Sequence, residues 1–143
     1  MAYHIHEKYL ENEILGADPL KLVRALYRGA IDAVVNARMH LRNGAIRERS
    51  RQITRALLII HELLRALDHS LDPGLSRPLA ELYVYMTNRL IEANAKQIDQ
   101  PLAETERLLS TLFEAWSSLP TPDLPEPSFD APDPALPEYL SHT

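Results

Sequence analysis

Few side chains in this sequence could do chemistry, and their spacing argues against most of it. Six histidines are present. His61-Glu62-Leu63-Leu64-Arg65 begins like the helical zinc motif, in which two histidines four residues apart flank a glutamate. Arg65 stands where the second histidine is needed. No glutamate has a histidine three residues later, so the di-iron carboxylate arrangement of helical bundles is unsupported. His4 and His6 could clip a metal, but read more simply as a solvated pair near a chain end. Cysteine is absent, which removes disulfides, thiolate zinc sites, iron–sulfur clusters and thiol nucleophiles together. There is no glycine-rich phosphate loop and no G-x-S-x-G elbow. The expectation is no catalytic residue, no metal, no cofactor and no enzyme.

Charge offers one further feature. Arg38, Arg42, Arg47, Arg49, Arg51 and Arg55 are opposed within their span only by Glu48, a local excess of five positive charges. Such a cluster could contact nucleic-acid phosphates or an acidic protein. No aromatic residue is interleaved, so a stacking platform for single strands is missing. The plainer reading is a solvated helix end, with some arginines partnering the chain's own acidic tail.

The elements that must carry these residues are helical. The chain has 143 residues, 45% apolar and 24% charged, as expected for one globular domain. Its net charge of −5 lies in the last stretch: residues 117–143 hold Asp123, Glu126, Asp130, Asp133 and Glu138 and neither Lys nor Arg. Seven of the eleven prolines fall there too. A disordered or polyproline-like tail is expected over 120–143. Before it, Asp18-Pro19 is a helix start, with a capping carboxylate and a proline whose missing N–H costs nothing. Val23, Leu26, Ala30, Ala33, Ala37 and Leu41 follow at steps of three and four, and Asn43-Gly44 ends the run. A second helix spans about 46–69, with Ile53, Leu57, Ile60, Leu64 and Leu67 as its seam and Asp72-Pro73-Gly74 as its break. Ser76 is expected to cap a third, with Leu79, Leu82, Met86, Leu90 and Ala93 on one stripe; Pro101 starts a fourth, ending near Trp116.

No period-two pattern of useful length interrupts this. Helices joined by short turns imply an all-α, antiparallel up-and-down four-helix bundle over 18–119, preceded by an N-terminal arm over 1–17. The N-terminus lacks the apolar run of a secretory signal, and no apolar run is long enough to span a membrane. A cytoplasmic protein without membrane insertion is expected.

Two helices carry more apolar surface than one core contact needs. The second adds Ala56, Ile59, Leu63 and Ala66, and the third adds Ala80, Val84, Ile91 and Ala95. At 100° per residue these stripes lie well away from the seams. Either the arm and neighbouring helices cover them, or they form a groove for a partner helix. On this angular argument Ile59 and Leu63 are expected to face away from the core.

The run Tyr9-Leu10-Glu11-Asn12-Glu13-Ile14-Leu15-Gly16-Ala17-Asp18-Pro19, followed by Leu26-Tyr27-Arg28-Gly29-Ala30-Ile31, resembles the opening of the flagellin-specific export chaperones, the FliS family. So do Leu82-Tyr83-Val84-Tyr85-Met86, Arg89-Leu90-Ile91-Glu92-Ala93-Asn94 and the closing Trp116. Asp18 replaces the family's usual serine but keeps its capping chemistry, whereas the proline-rich tail has no counterpart in the usual pattern. The resemblance implies a cytoplasmic chaperone that binds the disordered C-terminal segment of flagellin and blocks premature polymerisation. It implies that the arm, with Tyr9 and Ile14, lies over part of an apolar groove and moves on binding. Tyr27 and Asn94 match motif positions, for binding or for folding. With the second stripes added, the expected partner-binding residues are Tyr9, Ile14, Tyr27, Ile59, Leu63, Val84, Ile91 and Asn94. The export gate is a further candidate partner, a homodimer a candidate assembly, and a nucleic-acid-binding bundle acting through Arg38–Arg55 the alternative function.

Overall fold

The computed structural model describes residues 19–70 and 73–118. They form four helices: α1 (Pro19–Arg42), α2 (Ile46–Ser70), α3 (Pro73–Lys96) and α4 (Gln100–Ser117). The expected arm and tail, with Tyr9 and Ile14, lie outside the described residues.

Local chemistry sets the helix ends. Pro19 opens α1 as anticipated. At the other end Gly44 takes φ +69. Its N–H bonds the Leu41 carbonyl at 3.2 Å and the Ala45 N–H bonds that of His40 at 2.9 Å, the paired closure of a left-handed C-cap. The α3 end repeats this geometry without a glycine: Gln97 sits at φ 56, and the Ile98 N–H reaches Ala93 O at 3.3 Å. The α3 start differs from expectation. It begins at Pro73, so Ser76 lies within its first turn and does not cap it. Pro73 fits there because the first helical residues have no intrahelical acceptor for their N–H. In α4 Pro101 is the second helical residue, and Asp99 occupies the N-cap position without its side chain bonding a backbone N–H.

Paired contacts establish the antiparallel order. Tyr27 meets Trp116 and Arg38 meets Asp99 across α1 and α4. Arg55 meets Asp32 across α2 and α1, and Arg49 meets Asn94 across α2 and α3. Arg89 meets Glu104 across α3 and α4. Each helix packs on two neighbours, and the α1–α2 interface is the most extensive.

That interface turns α2 about its axis relative to the expected seam. The inward face of α1 is small, with Ala30, Ala33 and Ala37 fully buried. Gly29 has no Cβ, and Ile59 Cδ1 lies 3.2 Å from where one would stand. α2 therefore approaches α1 closely, and its buried line is Ile53, Ala56, Ile60, Leu63 and Leu67. Leu57 and Leu64, expected in the seam, are only half-buried against the core. Leu63, expected to face outward, is 1% exposed.

Candidate functional site

The residues singled out from sequence separate into three groups. Tyr27 and Leu63 belong to the core. The Tyr27 hydroxyl shares a 2.5 Å hydrogen bond with the Tyr83 hydroxyl and accepts one from Trp116 Nε1 at 3.2 Å. The tyrosine and tryptophan rings lie 6.5 Å from that of Tyr27, so one buried polar cluster joins α1, α3 and α4. Burial pushes both tyrosine hydroxyls above their ordinary titration range, Tyr83 most strongly. A phenol held neutral inside the bundle is a structural group.

Asn94 and Ile59 form the second group, occupied by neighbours. Asn94 Oδ1 accepts from Arg49 Nε and Ser50 Oγ, both at 3.1 Å. Ile59 is half-buried on the α1 side, against Gly29. Neither presents the free surface that a groove anchor needs.

Val84 and Ile91 form the third. They are 50% and 52% exposed. Seven residues apart, they lie almost in line along α3. Arg89 and Tyr85 mark the side of α3 facing Glu104 on α4, and Asn94 marks the side facing α2. At 100° per residue, Val84 and Ile91 point outward on the α2 side. The same construction points Leu58, 49% exposed, straight away from the buried line of α2, no nearer the α3 side than the α1 side. Thr54 and Thr87 lie on the flank between α2 and α3, and no ion pair crosses it among the described residues. Leu58 was not anticipated. It sits outside both stripes drawn on α2, on the side opposite the buried line.

The opposite flank of α3 is polar. Glu104 accepts from Tyr85 Oη at 2.8 Å and from Arg89 Nε at 2.7 Å, and these contacts hold its carboxyl below the ordinary value of 4.5. Glu92, bonded by Lys96 and Arg89, is lowered for the same reason.

The arginine cluster is divided by the fold. Arg38 grips Asp99 through Nε at 2.8 Å and Nη2 at 2.9 Å, and Glu106 through Nη1 at 2.7 Å. This explains why Asp99 leaves the first N–H groups of α4 uncapped. Arg49 is buried at 5% exposure and bonds Asn94 and Gln97, where the α3 carbonyl ends supply partial negative charge. Arg55 pairs with Asp32 at 3.2 Å. Arg42, Arg47 and Arg51 are left exposed. Three of the six cations thus tie one helix to another. Among the described residues no group of acids and histidines could hold a metal, and no helix is long and apolar enough to cross a membrane.

A family model described as "Flagellar protein FliS" matches residues 1–122. The chain is 35% identical over 111 residues to the flagellar secretion chaperone FliS of Salmonella typhimurium, covering 77% of this chain and 82% of that protein. It is 30% identical over 117 residues to the FliS of Escherichia coli K12, covering 80% and 86%. With the FliS of Bacillus subtilis it shares 30% identity over 108 residues, covering 76% and 80%. These are chaperones and not enzymes. With an all-helical bundle and a family match over most of its length, the chain belongs to the FliS family of flagellar secretion chaperones.

Proposed function

We propose that this chaperone binds the C-terminal segment of flagellin along the outward α2–α3 flank, in the cytoplasm, and so holds the subunit unpolymerised until export. The observation that carries the reading is the line of Val84 and Ile91, apolar and about half exposed, beside a flank that no ion pair crosses among the described residues. Anchors at i and i+7 on one helix suit an amphipathic segment that folds as it docks. Tyr9 and Ile14 of the arm would cover part of this flank when it is empty, and passage to the export gate would follow release. Tyr27 and Asn94 act by holding the bundle, and Ile59 and Leu63 by joining α2 to α1 and the core.

The test is calorimetric titration of flagellin into Val84→Glu/Ile91→Glu. Burial of each anchor is worth about 1.5–3 kcal/mol, and a carboxylate forced into the groove adds a desolvation cost. Affinity should fall by at least two orders of magnitude while circular dichroism of the free bundle is unchanged. Normal binding by the folded variant would move the site elsewhere.

A further inference from the structure

We propose that the acidic, proline-rich tail of this chain folds back onto the α1–α4 face of its own bundle, setting its carboxylates on Lys21, Arg24 and Arg28. These three cations follow one another at i, i+3 and i+7, within about 60° of arc on α1. None has a carboxylate partner among the described residues. Arg24 carries the sharper signal: its Nε is buried and has no hydrogen-bond acceptor. Buried donors are nearly always paired, and an unpaired one on a charged group is costly, so an acceptor belongs at this position. The Arg28 guanidinium lies 5.6 Å from the centre of the Phe113 ring, held by α4 and not by an acid. Beside it runs an open depression with Gly29, Ile31, Val35 and Phe113 along it, and with Arg55 on the far side already paired with Asp32.

Position and composition name the occupant. α4 ends at Ser117, antiparallel to α1, and the Trp116–Tyr27 hydrogen bond sets that end level with the α1 turns carrying Arg24 and Arg28. The chain that leaves α4 therefore starts beside the three cations. It holds five carboxylates and no Lys or Arg. Asp123 and Glu126, like Asp130 and Asp133, are three residues apart. In the extended conformation that proline favours this spans about 9 Å, close to the roughly 10 Å along the α1 axis from Lys21 to Arg28. Leu124 and Phe129 stand beside these acids and supply apolar groups for the depression. The tail needs only a fraction of its length to reach. The N-terminal arm is also within reach but carries Lys8 among its acids, so its complementarity to a basic stripe is weaker. The α1–α4 face lies across the bundle from Val84 and Ile91, so a seated tail leaves the flank assigned to flagellin open.

The absence of cysteine allows one spin label on the full-length chain, at Met39→Cys, beyond the far end of the depression. Paramagnetic broadening of backbone amide signals is then read along the whole chain. Signals between residues 119 and 135 should broaden. The broadening should drop several-fold in Arg24→Gln/Arg28→Gln, and also when salt is raised from about 0.1 M to about 1 M, where the screening length shrinks from about 10 Å to about 3 Å. It should persist in Arg47→Gln/Arg51→Gln. If the arginine pair disturbs folding, Asp130→Asn/Asp133→Asn changes only the tail and should give the same loss. Tail broadening indifferent to these changes would overturn the proposal, and so would broadening confined to residues 1–18, which would make the arm the occupant.

Discussion

Toward α4, helix α3 sends Tyr85 and Arg89 onto one carboxylate, Glu104, at 2.8 and 2.7 Å. Toward α2, the outward residues Val84 and Ile91 stand half in water. The same helix is thus latched by charge on one side and left apolar on the other. Both flanks are exposed to solvent, but they fail differently. Charge pairs near the surface are worth little each and weaken with salt or acid. An apolar strip is indifferent to both and gains only when something covers it. A secretion chaperone that must hold a partner and then release it can use the second flank for binding and the first to keep α3 in place.

The largest effect that can break this comparison is expected at the boundary between flank and core. Leu63→Glu puts a carboxylate at a position 1% exposed, whereas the Val84 and Ile91 changes do not enter the core. Removing a buried leucine alone costs about 2–5 kcal/mol, and an unpaired buried charge costs more. Leu63→Glu should unfold the bundle or lower its melting temperature by more than about 15 °C. A folded Leu63→Glu protein with lost partner binding would return that residue to the groove.

A smaller effect is expected where α3 meets the centre. Tyr83→Phe removes one hydroxyl of the Tyr27–Tyr83–Trp116 cluster and leaves Tyr27 still satisfied by Trp116. The cost should be about 0.5–1.5 kcal/mol. Tyr27→Phe strands both Tyr83 Oη and Trp116 Nε1 and should cost about 1–3 kcal/mol. Urea unfolding followed by the fluorescence of Trp116, the sole tryptophan, measures both, and equal losses would contradict the shared role of the Tyr27 hydroxyl.

The smallest effect concerns the charged flank. Glu104 and Glu92 have folded-state values below their ordinary 4.5. A carboxyl lowered by folding contributes stability above its unfolded value, and that stability is lost as pH falls through the folded one. Hydrogen exchange should therefore speed up across α3 and α4 as pH falls below about 4.5, after correction for the intrinsic rate. Glu104→Gln should remove most of the Glu104 share of this dependence while leaving flagellin affinity at neutral pH within a few-fold. A change in α1 and α2 of the same size would show that the latch is not local.

Much of the architecture was legible in the sequence because it depends on neighbours in the chain. Pro19, Gly44 and Pro101 marked helix ends through missing donors and a left-handed φ, and the three-and-four spacing of apolar residues specified four helices and their approximate lengths. The ordered motif pieces were enough to identify the family. The tertiary structure alone decided which face of each helix points inward. Two stripes on α2 were both apolar, and hydropathy does not rank them. The small face of α1 drew Ala56 and Leu63 inward and left Leu57 and Leu64 at the side. Partner choice among charges was equally invisible: the six clustered arginines look alike in sequence. Asp99, Glu106, Asn94 and Gln97, more than forty positions away, committed Arg38 and Arg49 to contacts between helices. Periodicity is a property of one helix, whereas burial and pairing are properties of the helices facing it, and those are brought together only by the fold.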